Sequence, residues 1–221
     1  MSQLGRSSIR EQIRDLLIDR IESGAYPPGT RLREMRLAEE FGSSQGPVRE
    51  AMRELAALNL VISESHRGTY VREVSGREQR DAYEVRLELE RLALRKLADC
   101  PDLDWSSVAT HANATYAAAQ AGDATAFAQA DAAFHKSIVQ LSGNEELVKA
   151  WEDLRPTLHI SLALRDLGAT SARLEALAVE HAELVEALAR SDSERAMALL
   201  ESHLTRVSAV LGTRGGESSA N

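Results

Sequence analysis

Helical periodicity dominates the chain from its first apolar residues. Apolar positions recur at intervals of three and four over residues 7–23 and again over 34–41, so each stretch predicts an amphipathic helix. Gly24 and Gly42 follow these stretches, as glycine commonly does where a helix ends. The apolar stripe of the first helix consists of Ile9, Ile13, Leu16, Leu17 and Ile21. A third periodic stretch begins after Ser44, and two helices joined by a short glycine-containing turn have helix-turn-helix spacing.

The third helix has two distinct faces. Ser44 is its predicted N-cap, and Gln45, Arg49 and Arg53 follow at intervals of four residues on a polar face. The apolar face, at spacing i, i+3, i+4 and i+7, consists of Val48, Ala51, Met52 and Leu55. A helix that is anchored by one face and exposes Gln and Arg on another is suited to the DNA major groove, where Arg binds guanine and Gln binds adenine. A merely solvated polar face is the alternative interpretation.

β-prone residues follow the third helix. Residues 60–62 and 69–71 are rich in β-branched and aromatic side chains, and the turn-forming run 65–68 separates them, which predicts a β-hairpin. A hairpin directly after a recognition helix is a wing. Arg67 and Gly68 at its tip are placed to contact a phosphate or the minor groove.

The rest of the chain is predicted to be helical. A polar stretch at 73–78 is the predicted linker, and the helices beyond it span 78–98, 104–120, 124–141, 145–165 with a kink or break at Pro156, 171–190 and 193–211. The predicted regions are therefore 1–75, 76–212 and a disordered tail at 213–221. The fold class is mainly α: an N-terminal winged helix-turn-helix followed by an all-α antiparallel helical bundle.

Composition and charge narrow the class of protein. No apolar run approaches the ~18 residues of a membrane span, and a single cysteine, Cys100, excludes an internal disulfide, so we expect a cytoplasmic protein without a membrane partner. The net charge of −8 at first argues against nucleic acid. Residues 1–75, however, hold 11 Arg and 11 acidic residues and balance to zero. A neutral domain can bind DNA if its arginines share a surface.

Four polar, metal-capable side chains interrupt the apolar stripes of the predicted bundle. Asp131 and His135 lie one turn apart on one helix, His181 lies within the stripe of a second, and His203 lies at the edge of the stripe of the last. Taken singly, each is more commonly a hydrogen-bonded core residue or part of an ion pair. One cation would compensate all four costly groups at once. Three imidazoles and one carboxylate suit Zn²⁺, with Ni²⁺ and Mn²⁺ as alternatives.

Several motifs in the first third of the chain occur together in a known family. They are Arg31-Leu32, Leu37-Ala38, Pro47-Val48-Arg49-Glu50-Ala51, Asn59-Leu60-Val61 and Gly68-Thr69. This part resembles the winged-helix domain of the GntR family of bacterial regulators, which implies binding to double-stranded operator DNA. The family commonly has Arg, Thr and another Arg where this sequence has Gln45, Gly46 and Met35, and Arg36 or Arg33 is the candidate to replace the missing Arg. The expected DNA contacts are Arg33, Arg36, Ser44, Gln45, Arg49, Arg53, Arg67 and Gly68.

The C-terminal two-thirds has motifs of its own. They are Tyr83-Glu84-Val85-Arg86-Leu87-Glu88-Leu89-Glu90, Asp131-Ala132-Ala133-Phe134-His135, Leu141-Ser142-Gly143-Asn144, Glu180-His181 and His203. This part resembles the all-helical FCD domain that many GntR regulators carry. In the metal-binding branch of that family the matching positions bind the ion, so the resemblance implies these ligands: Asp131, His135, His181 and His203. It also implies that Arg86 meets a carboxylate ligand near the ion, whereas an ion pair with Glu90 is the alternative.

These expectations combine into a leading hypothesis and two alternatives. The leading one is a transcriptional regulator, more commonly a repressor, that reads operator half-sites as a homodimer and senses a small carboxylate in the helical domain. One alternative is a metal-dependent enzyme. For an enzyme, the sequence lacks a clear general base near the ion. Glu180 adjoins His181, but it points about 100° away from it on an ideal helix. No enzymatic activity is therefore expected. The other alternative is a regulator whose metal is purely structural.

Overall fold

Two compact units make up the chain, Met1–Val74 and Ser75–Asn221. The structure, a computed structural model, describes residues 8–64, 67–98, 100, 103–154, 164, 168 and 170–210. Helices predominate in these ranges, and the first unit also contains a small antiparallel sheet, so the predicted mainly α fold class is confirmed. Among the described residues, no helix is long and apolar enough to cross a membrane.

The first unit is a helix-turn-helix with a small sheet. Its elements are α1 (Ile9–Glu22), β1 (Arg31–Leu32), α2 (Glu34–Glu40), α3 (Gln45–Ala57), β2 (Val61–Glu64) and β3 (Gly68–Val71). Both α1 and α2 pack on α3. The predicted apolar face of α3 is buried and consists of Val48, Ala51, Met52 and Leu55. This buried face fixes α3 within the unit, and the polar face of α3 carries the candidate DNA-contacting residues.

The sheet has the order β1-β3-β2, and both pairings are antiparallel. The hairpin of β2 and β3 was predicted, whereas β1 was not, because two residues are too short for a recognisable alternation. Gly68 opposes Glu64 where the hairpin turns. Its φ is +115°, which favours glycine, and a Cβ there would lie 3.0 Å from the Arg31 side chain. Glycine therefore closes this turn.

Two local predictions for this unit are wrong. Ile9 and Leu16 were placed on the core stripe of α1, but they are 60% and 46% exposed. The core-facing stripe is narrower and consists of Ile13, Leu17 and Ile21. Ser44 stands at the N-cap position of α3, yet its side chain accepts no capping hydrogen bond. Because Ser44 is exposed, the first-turn N–H groups of α3 are left to solvent or to a ligand.

The second unit is an all-helical bundle over its described residues. Its helices are α4 (Gly76–Ala98), α5 (Ser106–Ala121), α6 (Ala124–Leu141), α7 (Glu145–Asp153), α8 (Ser171–Ala189) and α9 (Ser193–Val210). α5 packs on α6 and α8, α9 packs on α4 and α8, and α4 packs on α6 and α7. The side chains of Asp123 and Asn144 cap α6 and α7 by accepting hydrogen bonds from first-turn N–H groups. This packing brings α4, α6, α8 and α9 around one interior.

α4 is the helix at which sequence and structure differ most. It begins at Gly76, inside the predicted linker, because Ser75 and Glu78 exchange capping hydrogen bonds. The helical period predicts an apolar stripe of Val85, Leu89, Leu92, Ala93 and Leu97 on this helix. Val85 and Leu92, however, are 50% and 37% exposed. The buried face consists instead of Gln79, Tyr83, Arg86, Glu90, Ala93, Leu94 and Leu97. Polar groups occupy the middle of this face because other helices provide their partners.

The structure describes only part of the predicted helix over 145–165. α7 ends at Asp153, Leu164 is helical, and Pro156 lies outside the described residues. The predicted tail at 213–221 also lies outside them. The predictions for these positions stay predictions.

Candidate metal centre and DNA-binding surface

Asp131, His135, His181 and His203 lie together inside the bundle, although three helices carry them. One ligand atom from each lies within 4.8 Å of all the others, and all four residues are buried. α6 supplies the first two, α8 supplies His181, and α9 supplies His203. The residues predicted from the sequence as metal ligands are therefore brought to one place.

Each of the three histidines has its Nδ1 atom against a different side chain. The contacts are His135 Nδ1 to Glu90 Oε2 at 2.6 Å, His203 Nδ1 to Glu180 Oε2 at 2.7 Å, and His181 Nδ1 to Thr115 Oγ1 at 3.1 Å. Partners of this kind commonly orient metal-binding histidines and set which nitrogen is left for the metal.

Glu180 and Thr115 determine which ring nitrogen of their histidines carries the hydrogen. Glu180 is a carboxylate that only accepts, so Nδ1 of His203 must donate to it. Thr115 donates its hydroxyl hydrogen to the backbone oxygen of Ala112 at 2.7 Å, so it accepts from Nδ1 of His181. In a neutral imidazole the other nitrogen, Nε2, then carries a lone pair, which is the form that binds metal ions.

The Nε2 atoms of the three histidines face one another and the carboxylate of Asp131. Nε2 of His181 lies 3.4 Å from Nε2 of His203 and 3.2 Å from Oδ1 of Asp131. Nε2 of His135 lies 3.9 Å from Oδ2 of Asp131 and, among the described residues, is buried without a hydrogen-bond partner. Ligand atoms around a tetrahedral Zn²⁺ are about 3.3 Å apart, given metal–ligand distances near 2 Å. The donor set therefore fits a divalent cation.

The protonation states also suit a cation. Burial lowers the pKa of His181 to about 4 and also lowers the pKa of His135, so both imidazoles are neutral at pH 7. Asp131 lies 3.6 Å from Nη2 of Arg86, and the positive charge of this guanidinium favours the ionised carboxylate. Asp131 is therefore ionised. Neutral imidazoles and an ionised carboxylate are the states that coordinate metal ions.

Arg86 lies beside this group on α4. Its Nε donates to Oε1 of Glu90 at 2.7 Å, which is the ion pair that the sequence left as an alternative. Its Nη2 lies 3.6 Å from Oδ2 of Asp131 and, within the described part of the chain, is buried without a hydrogen-bond partner. Arg86 thus forms the ion pair and keeps one N–H side towards the metal-capable cluster. The small cavity there is lined by Tyr83, Arg86, Asp131, Leu164, Leu177, His203, Leu204 and Val207.

In the first unit, α3 exposes Gln45, Arg49 and Arg53 opposite its buried face. Arg49 forms a bidentate pair with Glu34 of α2, with Nε at 3.0 Å and Nη2 at 2.7 Å from Oε2. The hydrogen bonds from Arg49 lower the pKa of Glu34. Arg53 pairs with Glu50 at 2.6 Å. Arg49 and Arg53 are both exposed on the polar face of α3, and each pairs with a carboxylate.

The other predicted DNA contacts lie around this helix in the chain. Arg33 and Arg36 are exposed, one just before α2 and one within it, and Ser44 is exposed just before α3. Arg67 is exposed in the hairpin turn, where Nη1 lies 3.4 Å from Glu64. All of these side chains are accessible to a nucleic acid on the first unit.

Comparison with known proteins decides the family. Residues 9–71 match the family described as bacterial regulatory proteins, gntR family, and residues 81–206, more than half of the chain, match the FCD domain. The protein named "Probable D-xylose utilization operon transcriptional repressor" of Paenarthrobacter nicotinovorans is 35% identical over 202 residues, which are 91% of this chain and 88% of that protein.

The chain belongs to the GntR family.

Further comparisons agree with this GntR assignment. The gluconate operon transcriptional repressor of Bacillus licheniformis is 30% identical over 165 residues, which are 73% of this chain and 66% of that protein. The crystal structure of a GntR regulator from Rhodococcus sp. RHA1 superposes with a TM-score of 0.83 at 24% identity and covers 94% of this chain and 99% of that one, which shows the same fold. As a GntR protein with an FCD domain, the chain is a DNA-binding transcriptional regulator.

Sequence reasoning missed the side chains that hold the histidines of this GntR protein. Glu180 was expected to point away from His181. It points to His203 on the neighbouring helix, where it contacts Nδ1. Thr115 gave one weak signal, a hydroxyl within an alanine-rich helix. Glu90 was considered only as a partner of Arg86. Helical periodicity places residues on a face, but it does not show which neighbouring helix that face meets.

Proposed function

We propose that this GntR regulator is a homodimeric repressor whose operator binding responds to a small carboxylate effector beside a bound divalent cation. Zn²⁺ is the first candidate for the cation, with Ni²⁺ and Mn²⁺ as alternatives. The cation would be held by Asp131, His135, His181 and His203, and an effector oxygen would add to these four ligands.

One observation carries the metal proposal. Nε2 of His135, His181 and His203 and the two carboxylate oxygens of Asp131 converge, at separations of 3.2 to 3.9 Å along the measured contacts. Acceptors buried against one another are costly, because none can donate to the next. A cation that accepts all four electron pairs removes this cost.

Arg86 supports a carboxylate as the effector. Its Nη2 is buried and faces the cavity beside Asp131 without a hydrogen-bond partner among the described residues. A guanidinium with an unused N–H side is suited to a carboxylate oxygen. Two similar proteins are named for D-xylose utilization and for a gluconate operon. Gluconate and other sugar acids are therefore the first carboxylates to test.

Two observations support a dimeric repressor: the names of similar proteins and the symmetry of helix-turn-helix binding sites. Two similar proteins are named repressors. A helix-turn-helix protein reads two half-sites through a symmetric pair of recognition helices. Effector binding can release DNA only as far as the effector prefers one arrangement of the dimer over another.

The metal proposal is tested by titrating chelator-stripped protein with Zn²⁺ in an isothermal calorimeter. We expect one ion per chain for the wild type and a strong loss of affinity for His181→Ala. His111→Ala is the matched control, because His111 lies on α5 outside the cluster and should leave Zn²⁺ binding unchanged. Absence of Zn²⁺, Ni²⁺ and Mn²⁺ binding by the wild type would reject the proposed site.

The effector proposal is tested by a thermal-shift screen of small carboxylates with and without Zn²⁺. A carboxylate that fits the site should raise the melting temperature only in the metal-loaded protein and should release a fragment of the protein's own promoter region in a gel-shift assay. Arg86→Lys should weaken this response, because lysine keeps the charge but not the planar N–H pair. A response that is equal with and without metal would contradict the proposal.

A further inference from the structure

Glu90 is a fully buried carboxylate beside the proposed metal site. It lies on α4 and accepts from three side chains. Oε1 accepts from Nε of Arg86 at 2.7 Å and from Nε1 of Trp151 at 2.9 Å. Oε2 lies 2.6 Å from Nδ1 of His135. One carboxylate thus joins a proposed metal ligand to the proposed effector-binding arginine.

We propose that Glu90 is a positioning residue that holds the proton of His135 on Nδ1 and so leaves the Nε2 lone pair for the metal ion. This inference rests on the metal site proposed above. An ionised carboxylate has no hydrogen to donate, so the short contact requires an N–H at Nδ1 of His135. The neutral ring has only one N–H, and Nε2 is then the free acceptor.

The two oxygens of Glu90 have separate roles because of their partners. Arg86 and Trp151 are both buried, and neither can turn its donating N–H into an acceptor. Oε1 is therefore committed to two donors. Oε2 faces His135, whose ring can exist in either of two tautomers. The Oε2 contact is thus the one that selects between chemical states of the site.

Glu90→Gln separates these roles. The glutamine amide has one accepting oxygen and one donating NH₂ group. Its oxygen should take the Oε1 position, because two donors, one of them a guanidinium, point there. The NH₂ group then faces Nδ1 of His135, which must accept and move its proton to Nε2. The substitution keeps the size of the side chain and removes one metal ligand by a change of tautomer.

Three measurements follow on the full chain. Affinity for Zn²⁺, measured by competition with a chromophoric chelator, should fall by about 10- to 100-fold in Glu90→Gln, as is typical for the loss of such a partner. The visible absorption of the Co²⁺-substituted protein should change, because one nitrogen ligand is lost. In metal-free, ¹⁵N-histidine-labelled protein, the nitrogen shifts of His135 should show Nδ1–H in the wild type and Nε2–H in the variant.

Trp151→Phe is the matched control within the same network. It removes one donor to Oε1 and disturbs the same buried region, but it leaves the contact between Oε2 and His135 in place. We expect the Zn²⁺ affinity and the His135 tautomer of Trp151→Phe to match the wild type. If both variants lose affinity equally and keep Nδ1–H, Glu90 acts only through packing and the inference is wrong.

The outcomes distinguish this inference from the metal site on which it rests. If the wild type binds none of the candidate ions, the metal site itself is rejected. If the wild type binds Zn²⁺ and Glu90→Gln binds it equally well with Nδ1–H retained, only the role of Glu90 is rejected. If Glu90→Gln does not fold, the metal-free wild type still decides, because an Nε2–H tautomer at His135 would overturn the inference.

Discussion

Arg86 and Arg77 are the same residue type in the same spacing on α4, but only Arg86 is buried. Each pairs with an acid four residues later: Arg86 with Glu90 at 2.7 Å, and Arg77 with Asp81 at 3.7 Å. The Arg86 side chain is 4% exposed, and the Arg77 side chain is 85% exposed. Breaking a buried pair leaves an uncompensated charge, which typically costs about 3–5 kcal/mol, whereas exposed pairs contribute little.

We therefore expect Arg86→Ala to lower the free energy of unfolding by about 3–5 kcal/mol, as measured by urea denaturation of the metal-free protein. Arg77→Ala should leave this free energy nearly unchanged. A small loss for Arg86→Ala, similar to that of Arg77→Ala, would mean that the remaining donors to Glu90 already compensate its charge.

Among single residues, the sequence identified the four side chains that cluster in the bundle better than the side chains that contact them. Asp131 and His135 were recognisable because polar groups interrupt an apolar stripe one turn apart. Glu180 and Thr115 were not, because each contacts a histidine on another helix, 23 and 66 residues away in the chain. Such pairings depend on which helices pack together, and one helix's periodicity carries no such information.

The paired arginines of α3 lead to a prediction at the scale of the element. Arg49 is exposed, but Glu34 of α2 holds its guanidinium through a bidentate pair. If Arg49 contacts the operator, DNA competes with this carboxylate for the same N–H groups. We expect Glu34→Gln to raise operator affinity and Arg49→Ala to lower it by about 5- to 150-fold, the range of one bidentate arginine–base contact. Fluorescence anisotropy at fixed salt measures both changes.

Glu39→Gln controls for net charge in this test. Glu39 is exposed on the same short helix, and its replacement removes the same charge without releasing Arg49. If Glu39→Gln raises affinity as much as Glu34→Gln, the effect is general electrostatics. The release of Arg49 is then not needed to explain it.

The helices themselves were largely predictable, and the main exception, the inward face of α4, has a physical cause. Periodicity identifies the inward face of α4 with its apolar residues, yet Val85 and Leu92 face outward while Arg86 and Glu90 face inward. Burial of the polar pair is tolerated because Trp151 and His135, from α7 and α6, complete its hydrogen bonds. The pattern failed where tertiary partners outweighed side-chain hydropathy.

The outward apolar residues of α4 bear on the assembly of the whole molecule. Val85 and Leu92 are seven residues apart, so they lie on one side of the helix, and both are exposed in the single chain. If a second copy covers this side in the proposed homodimer, Val85→Asp with Leu92→Asp should shift dimer to monomer in analytical ultracentrifugation. Operator affinity should fall with it, because half-site pairing is lost. Val179→Asp, at a 50% exposed position on α8, is the control and should leave the dimer intact. If the α4 double variant also stays dimeric, the dimer interface lies elsewhere.

Removal of the metal tests whether the folding of the bundle, DNA binding and the carboxylate response each require the ion. The bundle has its own apolar core around Phe134, Ile138, Leu200 and Leu204, and the first unit has a separate core around α3. We therefore expect chelator-treated protein to keep its far-ultraviolet helical signal and its operator gel shift but to lose the carboxylate response. Its unfolding free energy should be lower than that of protein at 100 times the metal Kd by about 2.7 kcal/mol, as mass action requires. Loss of the helical signal on chelation would identify a structural metal, and metal-dependent turnover of a carboxylate would identify an enzyme.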